Sequence, residues 1–307
     1  MPKLDVFRDF RGHGDTPPQA NWPNGARVAV SIVVNVEEGA ELSVTSGDER
    51  NEGTYEAKSN DEVSGAADPC MESHFEYGTR AGYWRIARVL EKRSIAATMS
   101  CCARALKVSP WLAEDILQRG HEIAAHSYRW ETHAHMSEEK EREVIADCVE
   151  TIREVSGVRP IGWHTRSATS LNTRRLLVEE GGFLYDSNAY NDDLPYIVKV
   201  QDKDHVVLPY SFDTNDMRFN EGGGFVFADD FARYCIDAFD CLWREGSKTP
   251  KMMSIGLHLR LIGRPGRIAG LEALLEHMQK KGGVWFARRD QLAKHWRNLN
   301  GLSLWPE

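Results

Sequence analysis

The sequence has no run approaching the roughly 18–20 apolar residues that a membrane-spanning helix needs. Its opening residues, Met1 to Val6, contain no apolar signal core. Lys and Arg number 38 against 46 Asp and Glu, a net charge of −8, and they form no basic stripe. That removes the usual electrostatic footprint of a nucleic-acid binder. Cysteine is scarce: there are six, none in a CxxC spacing, so neither a zinc ribbon nor a redox pair is indicated. Reduced, buried thiols in a cytoplasmic protein are expected. A GxSxG elbow, a P-loop and a GxGxxG turn before a helix are also missing, which leaves acyl-serine, nucleotide and dinucleotide chemistry without an anchor. Gly222 to Gly224 is a bare glycine run, read as a loop.

What is present is ordinary globular material: 307 residues, 41% hydrophobic and 27% charged, read as a single catalytic domain over 1–307. Arg27 to Val36 (RVAVSIVVNV) is β-branched and almost continuously apolar, as a strand covered on both faces should be. The polar stretch 39–73 is long for a structureless connection and is expected to be a lid or an interface segment. Helical and strand patterns then alternate. Helices are expected over 83–90, 110–118, 138–157 with Ser137 as N-cap, 172–180, 229–244, 268–280 and 291–297. Strands are expected over 95–101, 121–126, 160–164, 183–186, 206–209, 252–258 and 284–287. Seven or eight alternations predict an α/β fold with a parallel sheet and helices outside, a distorted (β/α) barrel with about seven parallel strands.

Chemistry-bearing residues recur at the C-terminal ends of these strands, where barrels of this kind carry their sites. Glu37 and Glu38 follow the first strand, His126 the third, and His164 with Arg166 the fourth; Asp186 and His258 sit likewise on later strands. Taken alone, the two glutamates would equally suit a solvated loop. Held near other anions or desolvated, Glu37 would have a raised pKa and serve as a base on water. His126 is followed at i+4 by Trp130, so a histidine pair for a metal is incomplete there. His133 and His135 lie near a polar helix start and read as solvated. His258, in GLHLR, ends an apolar strand, where a satisfied core histidine is the plain alternative to a functional one.

The segments NVEEGAE (35–41), ESHFEYGTRAG (72–82), GHEIAAHSYRW (120–130), EEGGFLYDSNAYNDDLPY (179–196), PYSFDTNDMRF (209–219) and SIGLHLRLIGRP (254–265) together resemble the polysaccharide-deacetylase superfamily. Within it, they resemble the branch of the bacterial allantoinases and, more loosely, the cyclic imidases. The resemblance spans nearly the whole chain. It implies hydrolysis of a non-peptide C–N bond and a homodimer or homotetramer. In typical members an Asp-Asp pair and a histidine pair supply the base and the metal ligands; the matching positions here are Glu37, Glu38, His126 and Trp130. The resemblance therefore implies either no cofactor or one divalent cation, zinc foremost, held by Glu38 and His126. GWHTRSATSLNTRR (162–175) departs from the short loop of the allantoinase branch, and His74 stands where that branch tends to be apolar. The reaction type is thus implied, while allantoin itself is not.

Three functions follow as expectations. The first is opening of a small cyclic amide, ureide or imide, with Glu37 and His258 catalytic and Trp130, Arg166, Asn215 and Arg260 contacting the substrate. The second is a metal-dependent N-deacetylase of acetylated amino sugars (polysaccharide, chitin or peptidoglycan), and the third a catalytically retired binding protein. Arg80 and Glu76 are expected to form a structural ion pair. The partner is a small molecule, with no nucleic acid and no membrane.

Overall fold

The computed structural model describes residues 8–54, 63–220 and 222–304. In chain order the strands are β1 (Val28–Val36), β2 (Thr98–Cys101), β3 (Glu122–Ala125), β4 (Gly162–Trp163), β5 (Tyr185–Asp186), β6 (Tyr196–Val200), β7 (Lys203–Val207), β8 (Lys251–His258) and β9 (Val284–Phe286). The helices are α1 (Pro69–Tyr77), α2 (Tyr83–Lys92), α3 (Ala103–Val108), α4 (Pro110–Gln118), α5 (Glu138–Ser156), α6 (Thr173–Glu180), α7 (Ala228–Glu245), α8 (Ile268–Lys281) and α9 (Arg289–Leu299). The sheet runs β6-β7-β5-β4-β3-β2-β1-β8, with β9 also paired to β1. All pairings are parallel except β6–β7. This is the curled, parallel-dominated sheet of a distorted (β/α) barrel, with one antiparallel edge strand beyond the expected set.

All nine residues of β1 are buried, because β8 pairs along one edge while β9 (28–30) and β2 (33–36) share the other. That central position suits its almost continuous apolar run, broken only by the buried Ser31 and Asn35. Between β7 and β8, Asn215 makes a parallel bridge to Gly256, so the segment after β7 closes over the seam. One rung runs through five successive pairings: Val36–Cys101–Ala125–Trp163–Asp186–Val207. The next residue on three of these strands is Glu37, His126 and His164. Register therefore lifts these three side chains to one level, and Asn35 pairs with His258 just below.

Several expectations change. The stretch 39–73 is not structureless throughout: Asp68 caps α1, accepting from the Met71 N–H at 3.0 Å, and Pro69 opens the helix. Residues 55–62 of that stretch lie outside the described residues. Elsewhere in it Arg129 chelates Asp48 at 2.6 Å, which fastens the loop to the barrel. A π-helical turn, Gly78–Gly82, joins α1 to α2. Ser137 caps α5 as expected, and Gly157 ends it with φ of 74°. All six thiols are free, but Cys70 and Cys241 are exposed; the expectation of burial holds for Cys101, Cys102, Cys148 and Cys235. No helix among the described residues is long and apolar enough to cross a membrane.

Candidate active site

Four of the residues singled out in the sequence meet at the strand ends. Glu37 accepts from Arg260 Nη1 at 2.6 Å, and its Oε1 lies 3.5 Å from the Nε2 atoms of both His126 and His258. All four are buried. Burial pushes the Glu37 carboxyl up, yet His258, Arg260 and His126 together hold it well below the usual carboxylate range. The expected rise is thus reversed, because the positive charges of His258 and Arg260, ahead of any contribution from His126, outweigh the lost water.

His258 is backed by Asp216, a residue the sequence reading passed over. Asp216 Oδ1 accepts from His258 Nδ1 at 2.6 Å, and its Oδ2 accepts the His258 and Ile262 N–H groups at 2.8 and 3.0 Å. Burial alone would lower the His258 pKa, but Glu37 and Asp216 raise it above its ordinary value. Asp216 lies on a short turn after β7, outside any periodic element; its signal was the carboxylate in the NDMR segment.

His126 donates from Nδ1 to the His164 carbonyl at 2.7 Å, which directs Nε2 toward Glu37. Its ring stacks on His164, centroids 5.0 Å apart. Burial, with the Arg289 guanidinium adding like charge, keeps His164 well below its ordinary pKa, so it is neutral. Glu38 points away from the cleft lining. One carboxylate oxygen accepts the Glu37 N–H at 3.0 Å, and the other packs against Gly78 with no hydrogen-bond partner. Burial pushes its pKa up to about 7.

Trp130 is pinned between two guanidiniums, Arg166 3.5 Å and Arg260 4.9 Å from the ring centroid. Arg166 spends its donors on Glu52, at 3.1 and 3.2 Å, and on the Trp130 carbonyl, at 2.9 Å. It lines the cleft, yet its hydrogen bonds tie the 39–54 loop to the barrel. Asn215 also lines the cleft; its Oδ1 accepts from Met217 N–H at 2.9 Å. Asn35, not singled out before, donates to Tyr210 Oη and the Leu257 carbonyl, both at 3.1 Å, and leaves its buried Oδ1 without a partner at the cleft.

The remaining histidines divide. His133 was expected to be solvated but is fully buried; His135 is exposed. His74 lies 3.0 Å from Arg264 on the flank of α1. Arg80 and Glu76 form an exposed pair at 3.7 Å. Asp186 is buried between Arg174 and His205, at 2.7 and 3.0 Å, and serves the sheet rather than the cleft.

The cleft has a cavity volume of about 30 Å³, and the stacked rings of Tyr190 and Phe212, 4.0 Å apart, line it beside His164 and Tyr210. Two wider grooves, of about 880 and 810 Å³, lie elsewhere; the second shares Tyr190, Tyr210 and Phe212 with the cleft. Glu37, His126 and His258 all line the small space.

The donors do not suit a divalent cation. Arg260 already brings a fixed positive charge to within 2.6 Å of Glu37 and 3.8 Å of Glu38, and the residue four after His126 is Trp130, which offers no metal-ligating lone pair. Among the described residues no group of three or more His, Cys, Asp or Glu is arranged to hold a metal ion.

Fold and site together define a hydrolase acting on carbon–nitrogen bonds. A family model for polysaccharide deacetylases matches residues 65–185. A Schizosaccharomyces pombe protein named as a polysaccharide deacetylase is 39% identical over 94% of this chain and 96% of its own length. A probable polysaccharide deacetylase from Pseudomonas aeruginosa is 44% identical over 96% of this chain and 99% of its own, with a TM-score of 0.92. The structure of a PuuE allantoinase is likewise 44% identical, over 98% of this chain and all (100%) of its own, with a TM-score of 0.93. The chain belongs to the polysaccharide deacetylase family.

Proposed function

We propose that this hydrolase opens a small cyclic amide, ureide or imide without a resident metal. The observation that carries the reading is the carboxylate-backed His258, its Nε2 3.5 Å from buried Glu37, with the Arg260 guanidinium bonded to that same carboxylate. The structural likeness to an allantoinase supports it.

Glu37 is too acidic to be a strong base in the resting cleft, so its role is to orient the attacking water. His126 Nε2, left without a proton in the neutral ring because Nδ1 donates to a carbonyl, faces the same place and accepts a proton from that water. Attack on the ring carbonyl gives a tetrahedral oxyanion beside the Arg260 guanidinium. His258 then passes its Nε2 proton to the departing nitrogen as the C–N bond breaks, and Asp216 stabilises the imidazolium until then. Trp130 and Tyr210 supply apolar walls, Asn35 Oδ1 and Asn215 polar contacts to the ring, and Arg166 the rim.

A panel of cyclic ureides, cyclic imides and N-acetyl amino sugars tests this. Glu37→Gln and His258→Ala should each lower kcat by at least ~10²-fold on a ring substrate, with folding intact by circular dichroism. Wild-type rates in either variant would withdraw that residue from the mechanism. The names of the relatives favour a second reading, deacetylation of an acetylated amino sugar. Turnover of acetamido sugars alone, lost to chelators and restored by metal, would put that reading first.

A further inference from the structure

Ser127, directly after His126, holds a left-handed backbone with φ of 66°, a conformation that costs any residue with a Cβ. Something must keep it there. Its Oγ lies 2.8 Å from His133 Nε2, and His133 Nδ1 lies 2.9 Å from Glu141 Oε1. All three residues are fully buried. Glu141, on the first turn of α5, also accepts from Ser170 Oγ and Thr173 Oγ1, both at 2.5 Å. Burial pushes its pKa up, but His133, Ser170 and Thr173 bring it below the ordinary value. It is therefore an acceptor only, which assigns the Nδ1 proton of His133 to Glu141 and leaves Nε2 to accept the Ser127 hydroxyl proton.

This chain touches both loops that build the cleft. The His133 N–H donates to the Ala168 carbonyl at 2.9 Å, and the His133 ring meets Trp163 edge-on, centroids 5.8 Å apart. Ser170 belongs to the loop carrying His164 and Arg166, and Ser127 to the loop carrying His126 and Trp130. The order serine–imidazole–carboxylate matches that of a hydrolytic triad, but Ser127 is fully buried and does not line the cleft, so it is not assigned as a nucleophile.

We propose that Ser127, His133 and Glu141 form a positioning relay that fixes the backbone at Ser127 and thereby aims His126 Nε2 at Glu37. The proposal rests on the reading that His126 takes part in the hydrolysis. Ser127→Ala and His133→Ala should each reduce kcat by about 10–100-fold while KM stays within about threefold, as for other groups that orient a reacting side chain. His133→Gln offers an acceptor to Ser127 and a donor to Glu141, and should recover kcat to within about threefold of wild type. The direct readout is the His126 Nδ1 proton in ¹H–¹⁵N spectra of histidine-labelled protein. It should be sharp and downfield in wild type and His133→Gln, and broadened or shifted in Ser127→Ala.

Unchanged kcat in folded Ser127→Ala and His133→Ala overturns the relay. So does a loss of kcat that follows melting temperature and is not recovered by His133→Gln. If the wild-type protein opens no ring on the panel, the proposed function fails by itself, and the His126 signal alone decides: perturbed in Ser127→Ala it supports the relay, unperturbed it overturns it.

Discussion

At the scale of single residues, the site is a balance of charge among buried side chains. Arg260, Glu37, His258 and Asp216 form one buried line, alternating in sign once His258 is protonated. Asp216→Asn would remove the carboxylate that raises the His258 pKa. With His258 as the proposed proton donor, activity should be lost as pH rises past its pKa, and Asp216→Asn should move that basic limb of the kcat profile to lower pH. An unmoved limb would show that another group donates the proton. Glu38 makes the opposite use of burial. With its pKa raised from 4.5 to about 7, its contribution to stability is complete below about pH 4.5 and is lost as pH rises through 7. Glu38→Gln, neutral throughout, should remove a pH-dependent loss of up to about 3 kcal/mol over that window, read by denaturant titrations at several pH values. Glu37, His126 and His258 were legible in the sequence because each stands at, or one residue past, the C-terminal end of an apolar strand. Asp216, Asn35 and His133 were not: their roles come from contacts across the fold, which no local pattern encodes.

At the scale of elements, legibility followed local chemistry. α4 and α5 were read closely because Pro110 and Gly120, Ser137 and Gly157 mark their ends. β6 went unread because its hairpin with β7 turns on Gln201-Asp202, both with positive φ (48° and 65°), where Asn-Gly is the usual signal. α9 was read from Gln291, which missed its working end. Arg289 enters the barrel and donates to Ser187 and Ser254, at 2.9 and 2.7 Å, while Glu122 accepts from the Asp290 N–H at 3.0 Å. The π-helical turn between α1 and α2 brings backbone against the site: a Cβ on Gly82 would overlap the Leu259 carbonyl, and one on Gly78 would overlap Glu38. Gly82→Ala should therefore destabilise the fold by about 2–3 kcal/mol in urea titrations, since backbone cannot yield as a side chain can. A cost under about 0.5 kcal/mol would mean that this turn shifts freely.

At the scale of the whole molecule, the sequence conveyed the alternating α/β order and the parallel sheet, but not how the sheet curls. Closure depends on Asn215 bridging to Gly256, a contact made by a loop. In the proposed metal-free reading, Arg260 supplies the positive charge beside Glu37 and Glu38. Exhaustive treatment with a strong chelator should leave ring hydrolysis within about twofold of the untreated rate. A complete loss that added metal restores would contradict the charge assignment.

The single rung shared by Val36, Cys101, Ala125, Trp163, Asp186 and Val207 has a consequence for how such a protein can vary. Adding or deleting one residue upstream of that level in any strand would swing its terminal side chain to the opposite side of the wall and silence the site. Changes in loop length beyond the rung leave the reacting groups in place. New specificities in this lineage should therefore arise from remodelled rims around strands of conserved span.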